Sequence, residues 1–133
     1  MPDVNLLAVL LCGLSSMVLG AIWYSPILFA KKWMAGAKLS EGDLAGANMA
    51  MIYGTAFLLS LIAAYVFAMF LGRGVMPLGA SVGAGASAGL CWVGAAFGIS
   101  YLFERRGLGH WLINAGYHTL QFTLFGLILG LMG

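Results

Sequence analysis

The polar side chains of the last apolar stretch are the residues of this chain best suited to chemistry. His110, Asn114, His118 and Gln121 are spaced by four, four and three residues, so in a helix they share one face, with Tyr117 at its edge. An imidazole can change charge near neutral pH, and polar groups inside hydrocarbon are costly unless they face protein or water. The stripe therefore predicts a polar layer inside a membrane-spanning bundle.

Two earlier apolar stretches bring further polar side chains to a similar depth. A helix that starts near Trp111 places His118 about 10 Å along its axis, at about 1.5 Å per residue. The predicted ligand-binding residues of the layer are Trp23, Tyr24, Tyr53, Thr55, Asn114, Tyr117, His118 and Gln121. We expect His118 to lie within hydrogen-bond reach of Tyr24, Tyr53 or Thr55.

Three interpretations of this layer stand side by side. The first is a satisfied hydrogen-bond network that fixes helix register. The second is a cytoplasm-facing pocket or pathway for a small ligand, proton or ion. The third is a metal or haem site. His110 and His118 are eight residues apart, which is too far for the paired histidines of a helical zinc site. No metal ligand, no catalytic residue and no cofactor is predicted. The four carboxylates lie at the ends of apolar stretches or in loops, and no nucleotide-binding loop occurs.

Four apolar stretches must position this layer. The chain has 133 residues, of which 62% are hydrophobic and 8% are charged, whereas a soluble domain carries roughly 25% charged residues. A soluble monomer and a disordered chain are therefore excluded. A membrane-spanning helix needs ~20 mainly apolar residues. The sequence predicts an all-α integral membrane bundle in a single transmembrane domain, 1–133, with helices at about 4–28, 48–71, 76–103 and 111–132.

The basic residues predict how the bundle is oriented. Five of the six lie in the loops after the first and third stretches, and the other side has only Arg73; the five are Lys31, Lys32, Lys38, Arg105 and Arg106. Because basic loops stay in the cytoplasm, both termini are expected on the outer face. These residues form no continuous stripe, so no nucleic-acid partner is expected. Ser40 and Asp43 form a capping-box pattern that predicts a helix start.

Small residues dominate the third stretch. Three glycine pairs are spaced by four residues: Gly79 with Gly83, Gly85 with Gly89, and Gly94 with Gly98. At ~100° per residue, the first and third pairs share a face and the second lies roughly 120° away. Small residues allow helix backbones to approach closely in lipid. The third helix is therefore expected to be the most enclosed, through packing inside one chain or through a subunit interface.

Two segments resemble a known family. The motifs are LGAIWYSPILFAKKW at residues 19–33 and YLFERRGLGHWLINAGYH at residues 101–118. They resemble the small bacterial membrane family called domain of unknown function 1761, with Gly107 where that family has proline. The resemblance implies a four-helix protein of the bacterial inner membrane and implies no activity. It marks as motif positions Trp23, Tyr24, Pro26, Asn114, Tyr117 and His118.

These observations favour a non-enzymatic multi-pass protein of the inner membrane, with a polar pocket in its cytoplasmic half for binding or transport of a small ligand. One alternative is a structural or accessory subunit of a larger membrane complex. Another is an intramembrane enzyme that acts on a lipid or quinone. The expected partners are the lipid bilayer, a second copy of the chain or another membrane protein, and a small ligand.

Overall fold

A computed structural model describes residues 4–40, 42–43 and 46–133, and the regular structure in these ranges is helical. The elements are α1 (Leu6–Trp23), α2 (Ala30–Ala37), α3 (Met49–Leu71), α4 (Leu78–Ser87), a π-helix (Ala88–Gly94), α5 (Ala95–Glu104) and α6 (Leu108–Met132). Within these described ranges, four helices are long and apolar enough to cross a membrane. We call them spans one to four: Leu6–Trp23, Met49–Leu71, Leu78–Glu104 and Leu108–Met132. The predicted all-α class with four membrane helices is confirmed.

Local chemistry explains where the helices begin and end. The side chain of Asn5 accepts from the N–H of Ala8 at 3.2 Å, and the side chain of Asn48 caps α3 in the same way. Span one ends at Trp23 rather than near residue 28, because Pro26 lacks the N–H that would continue the helix. Two turns then lead into α2, which lies beside span four.

The two ends of the bundle differ in character. At one end lie α2 and the turn between α5 and α6, with all the basic residues except Arg73; we call this the basic end. At the other end the Asn5 side chain donates to the carbonyl of Met132 at 3.0 Å, so the first and last helices meet there. We call this the terminal end.

Span four is the central helix of the bundle. It packs against α1, α2, α3, α4, the π-helix and α5. The prediction that span three is the most enclosed is wrong. Only 22% of its apolar window is buried, against 28% for each of the other spans. Its small residues allow one neighbouring helix, span four, to approach very closely, and they do not accommodate a second neighbouring helix.

A wide turn interrupts span three. In the segment Ala88–Gly94 the hydrogen bonds are of the π type, so that the N–H of Ala95 donates to the carbonyl of Leu90. A π turn holds one more residue than an α turn, and it therefore rotates the following side chains by roughly 100°. The indole Nε1–H of Trp111 donates to the carbonyl of Gly94 at 2.8 Å. Span four thus holds the wide turn in place.

The predicted packing glycines divide into two groups. A Cβ atom at Gly85 or Gly89 would collide with the backbone of span four. A Cβ atom at Gly79 or Gly83 would meet no atom of another element within 4 Å among the residues that the structure describes. The first and third pairs therefore do not share a face, because the π turn moves the third pair toward span four. The glycines that meet span four are Gly85, Gly89, Gly94 and Gly98.

Span two lies at the edge of the bundle. Its main neighbour is α1, where Gly13 leaves room for Leu61 and Phe57. Its half nearer the terminal end joins an apolar core formed by Ala8, Val9, Cys12, Ala64, Phe67, Ala68, Leu71, Ala88, Phe125 and Leu129. In its half nearer the basic end, residues 49–59, every side chain is exposed except the half-buried Phe57.

Candidate functional site

Asn114 joins three elements at the basic end of the interior. Its Oδ1 accepts from the hydroxyl of Tyr24 at 2.6 Å, beyond the end of α1. Its Nδ2 donates to the hydroxyl of Tyr101 in α5 at 2.8 Å and lies 3.2 Å from Nε2 of His110, one turn earlier in α6. We call these four residues the His110 cluster. Both Asn114 and His110 are 7% exposed.

The orientation of the Asn114 amide assigns the tautomer of the His110 ring. The two hydrogens of Asn114 Nδ2 point to Tyr101 and to His110, so Nε2 of His110 accepts and its Nδ1 carries the hydrogen. That Nδ1–H is buried and has no hydrogen-bond partner among the residues that the structure describes. An unsatisfied buried donor costs about 1–3 kcal/mol.

Gly36 of α2 borders the unsatisfied Nδ1, because even a Cβ atom at this position would collide with the His110 ring. Arg106 contacts Gly36 in turn. Its Nη1 donates to the Gly36 carbonyl at 2.6 Å, and its Nε contacts Glu104 Oε1 at 3.0 Å. The Gly36 carbonyl is therefore already hydrogen-bonded. The Nδ1–H of His110 and the guanidinium of Arg106 both lie next to Gly36.

A second cluster lies deeper in the bundle, which we call the His118 cluster. Nδ1 of His118 lies 2.6 Å from Oε1 of Gln121, and Nε2 of Gln121 donates to the Ser16 hydroxyl at 3.0 Å. The hydroxyl of Tyr117 donates to the Ser16 carbonyl at 2.9 Å. The His118 ring stacks on Phe97 of α5, with centroids 5.2 Å apart. Because Oε1 accepts, the neutral His118 ring carries its hydrogen on Nδ1.

The predicted partner of His118 was wrong. Its hydrogen bond goes to Gln121 of its own helix, and the longer side chain of Gln121 makes the link to α1. Tyr53 is 59% exposed, and Thr55 is exposed as well. Both lie on the half of span two that stands away from span four, which is why neither joins the polar layer.

The other predicted residues lie in or beside the two clusters. The indole of Trp23 donates to the carbonyl of Ile113 at 2.8 Å and covers Gly116. The predicted site set omitted Ser16, Tyr101 and His110. His110 belongs to the polar stripe of the last apolar stretch, and Tyr101 belongs to the family motif at residues 101–118, so the sequence did point to both residues. The sequence did not point to Ser16, because a lone serine in an apolar helix is common.

The polar layer stops at Gln121. Further toward the terminal end the interior is filled by apolar side chains, including those of Ala8, Phe67, Phe125 and Leu129. The thiol of Cys12 lies 4.0 Å from the carbonyl of Phe125. A polar contact between spans three and four also lies here, from the Ser81 hydroxyl to the Gly126 carbonyl at 2.6 Å. The two clusters therefore occupy one half of the bundle.

Both clusters lie within the part of the chain that matches a family model. The family is described as Protein of unknown function (DUF1761), and the match covers residues 7–130. No match was found among curated proteins or among solved structures. The four spans and both motifs of residues 19–33 and 101–118 fall inside the matched range apart from a few terminal residues. The chain therefore belongs to the DUF1761 family.

Proposed function

We propose that this membrane protein is non-enzymatic and binds a small ligand bearing a carboxylate or phosphate group at the basic end of its polar layer. The observation that carries the proposal is the buried Nδ1–H of His110, which has no partner among the described residues. Every other polar atom of the His110 cluster that we have described is hydrogen-bonded. A ligand oxygen at this nitrogen would satisfy the remaining donor.

The surrounding charge favours an anionic ligand. Arg106 presents its guanidinium at Gly36, next to His110. Arginine recognises carboxylates and phosphates through two parallel hydrogen bonds. Glu104 already contacts Nε of Arg106, so a bound ligand would share the guanidinium with that carboxylate or displace it. The five basic residues of this end add a positive field that attracts anions.

Binding fits the interior better than transport does. The polar side chains extend from His110 to Gln121 and Ser16, and the apolar core begins beyond them. An ion that crossed the bundle would have to pass side chains such as Phe125, which is fully buried. We place the ligand on the cytoplasmic side of a bacterial inner membrane, with both termini outside, on the strength of the five-to-one division of basic residues.

A second candidate function is that of an accessory subunit or a homo-oligomer. Gly79 and Gly83 form a small-residue face that no side chain of the described chain covers. Such faces allow close helix contacts in lipid. We propose that the Gly85, Gly89, Gly94 and Gly98 series packs within the chain and that the Gly79–Gly83 face is offered to a second copy or another membrane protein.

Histidine-selective NMR tests the ligand proposal, because the chain has only two histidines. The protein with ¹⁵N-labelled histidine would be titrated with acetate and with inorganic phosphate at constant ionic strength, with chloride as the reference. We expect the ring signals of His110 to shift and those of His118 to stay in place. Arg106→Gln should weaken the response by about tenfold, the equivalent of one charge-assisted hydrogen bond. Equal responses of both rings, or none from His110, would overturn the proposal.

A further inference from the structure

Helix α2 is held at the level where span one ends and span four begins. Residues 24–29 connect span one to α2. The ring of Trp33 in α2 lies against that of Tyr24, with centroids 5.6 Å apart. Gly36 of α2 meets the ring of His110, which belongs to the first turn of span four. Because membrane-spanning helices end at the headgroup region, α2 lies at the boundary between hydrocarbon and headgroups.

The two sides of α2 differ in chemistry. The side that packs on the bundle carries half-buried residues, among them Trp33, Gly36 and Ala37. The other side carries Lys31 and Lys32, both of which are exposed. A helix with an aromatic ring on one side and lysines on the other is typical of helices that lie flat in the interface of a bilayer.

The turn between α5 and α6 adds a further cation to this surface. The hydrogen bond from Arg106 to the Gly36 carbonyl holds that turn against α2. The guanidinium of Arg106 is occupied by this bond and by Glu104, whereas the neighbouring Arg105 is exposed. Neither Arg105 nor the two lysines of α2 form an ion pair with any residue that the structure describes. Three cations of the basic end therefore remain available to an external anion.

Exposed apolar side chains accompany these cations and indicate what kind of anion they meet. Ile27, Phe103 and Leu108 are 92%, 87% and 71% exposed. Ile27 lies four residues before Lys31, and the other two flank Arg105 within three residues. Large apolar side chains are unfavourable in water but favourable among acyl chains just below the headgroups. A soluble anion would contact the cations alone, whereas the surface of a bilayer contacts both kinds of side chain.

We infer that Lys31, Lys32 and Arg105 form a binding surface for the headgroups of anionic phospholipids. Their long side chains reach the lipid phosphates, while the exposed apolar side chains beside them lie among the first carbons of the acyl chains. The lysines stand on the side of α2 that faces away from His110. The surface is therefore separate from the ligand site proposed at His110, and it does not depend on that proposal.

The experiment is a lipid titration of the full-length protein in a neutral detergent, followed by native mass spectrometry. Phosphatidylglycerol and phosphatidylcholine with identical acyl chains are compared, because they differ in headgroup charge. We expect phosphatidylglycerol to bind about tenfold more tightly or better, since each basic residue near the lipid contributes roughly fivefold. Glycerol phosphate at the same concentration should not displace the lipid, because it lacks acyl chains. Displacement by glycerol phosphate would identify a site for soluble anions and overturn the inference.

Charge variants locate the surface on α2. The double variant Lys31→Gln/Lys32→Gln should weaken phosphatidylglycerol binding about tenfold or more and leave phosphatidylcholine binding unchanged. The double variant Lys31→Arg/Lys32→Arg keeps both charges and should bind like the parent. Arg73→Gln removes one charge from the terminal end and should also bind like the parent. Equal binding of the two lipids by the parent, or no greater loss in the glutamine double variant than in Arg73→Gln, would show unselective lipid contact and overturn the inference.

Discussion

Asn114 makes more hydrogen bonds than any other side chain of the His110 cluster. Its amide satisfies Tyr24 from the end of α1, Tyr101 from α5 and His110 from α6. An amide is well suited to this position because it offers an acceptor and two donors in one plane. Neither a carboxylate nor an aliphatic side chain could serve all three partners.

Replacing this amide should therefore be costly. Asn114→Leu keeps the branching at Cγ but leaves the buried partners unsatisfied, so we expect a loss of about 2–4 kcal/mol in the free energy of unfolding. Chemical unfolding in detergent measures this change. Thr123→Val is the matched control, because the Thr123 hydroxyl only donates to the Thr119 carbonyl in its own helix. A loss of similar size in both variants would contradict the central role of Asn114.

The tautomer of each histidine is a second prediction at this scale. With Asn114 donating to Nε2, neutral His110 should show its hydrogen on Nδ1, and His118 should do the same because of Gln121. Ring ¹⁵N shifts at alkaline pH distinguish the two tautomers. Gln121→Leu should disturb the His118 signals only. Nε2–H at His110 would mean that the amide of Asn114 is turned over.

Asp43 yields a pH-dependent prediction outside the spans. The backbone N–H of Ser40 donates to Asp43 Oδ2 at 2.9 Å, and the Asp43 N–H donates to Ser40 Oγ at 3.1 Å, as the capping-box pattern predicted. The bond from the Ser40 backbone N–H, and to a lesser extent the nearby Ser40 hydroxyl, hold the pKa of the Asp43 carboxyl below its ordinary value. The contribution to stability is therefore present above the ordinary pKa and is lost as the pH falls through the lowered one. Ser40→Ala should raise the Asp43 pKa part of the way, because the backbone bond persists; carboxyl NMR titration measures this.

At the scale of the elements, the π-helix determines which side of span three meets span four. A glycine pattern counted at 100° per residue assigned Gly94 and Gly98 to the face of Gly79. One wide turn brings them to the face of Gly85 instead. The hydrogen bond from Trp111 to Gly94 stabilises that turn, yet nothing in the local sequence of span three signals a π turn.

Two glycine substitutions separate the inner face of span three from its open face. Gly89→Leu would drive a side chain into the span-four backbone, so it should lower stability by about 1–3 kcal/mol or more. Gly83→Leu points into open space and should leave thermal stability close to that of the parent. If the Gly79–Gly83 face binds a second copy, the Gly83 variant should also become smaller in size-exclusion chromatography with light scattering. Equal destabilisation by both would contradict this division.

The sequence predicted the elements better than their arrangement. Hydropathy was sufficient for four helices, since ~20 apolar residues have few other structures available in lipid. Periodicity correctly placed Asn114, His118 and Gln121 within the polar layer. It could not show that span two leans away from span four, because Tyr53 and Thr55 look the same in sequence whether they face protein or lipid. It also could not identify Ser16, which acts through Gln121.

At the scale of the whole molecule, the basic end is predicted to lie on the cytoplasmic side of the membrane. With Cys12 and Cys91 removed, Ala37→Cys should resist a membrane-impermeant thiol reagent in intact cells, and Gly133→Cys should react. Permeabilised cells are the control, in which both should react. The reverse pattern would place the His110 cluster on the outer side and the proposed anion site with it.

The central position of span four has a consequence for biosynthesis. Spans one, two and three leave the ribosome before span four, which is the main packing partner of span three and also packs against span one. Until span four enters the bilayer, Ser16, Tyr24 and Tyr101 lack the partners that satisfy them, and the small-residue face of span three lies open to other proteins. The nascent chain should therefore stay with the insertion machinery until its last helix arrives. The polar layer and the packing of span three then form together in one late step.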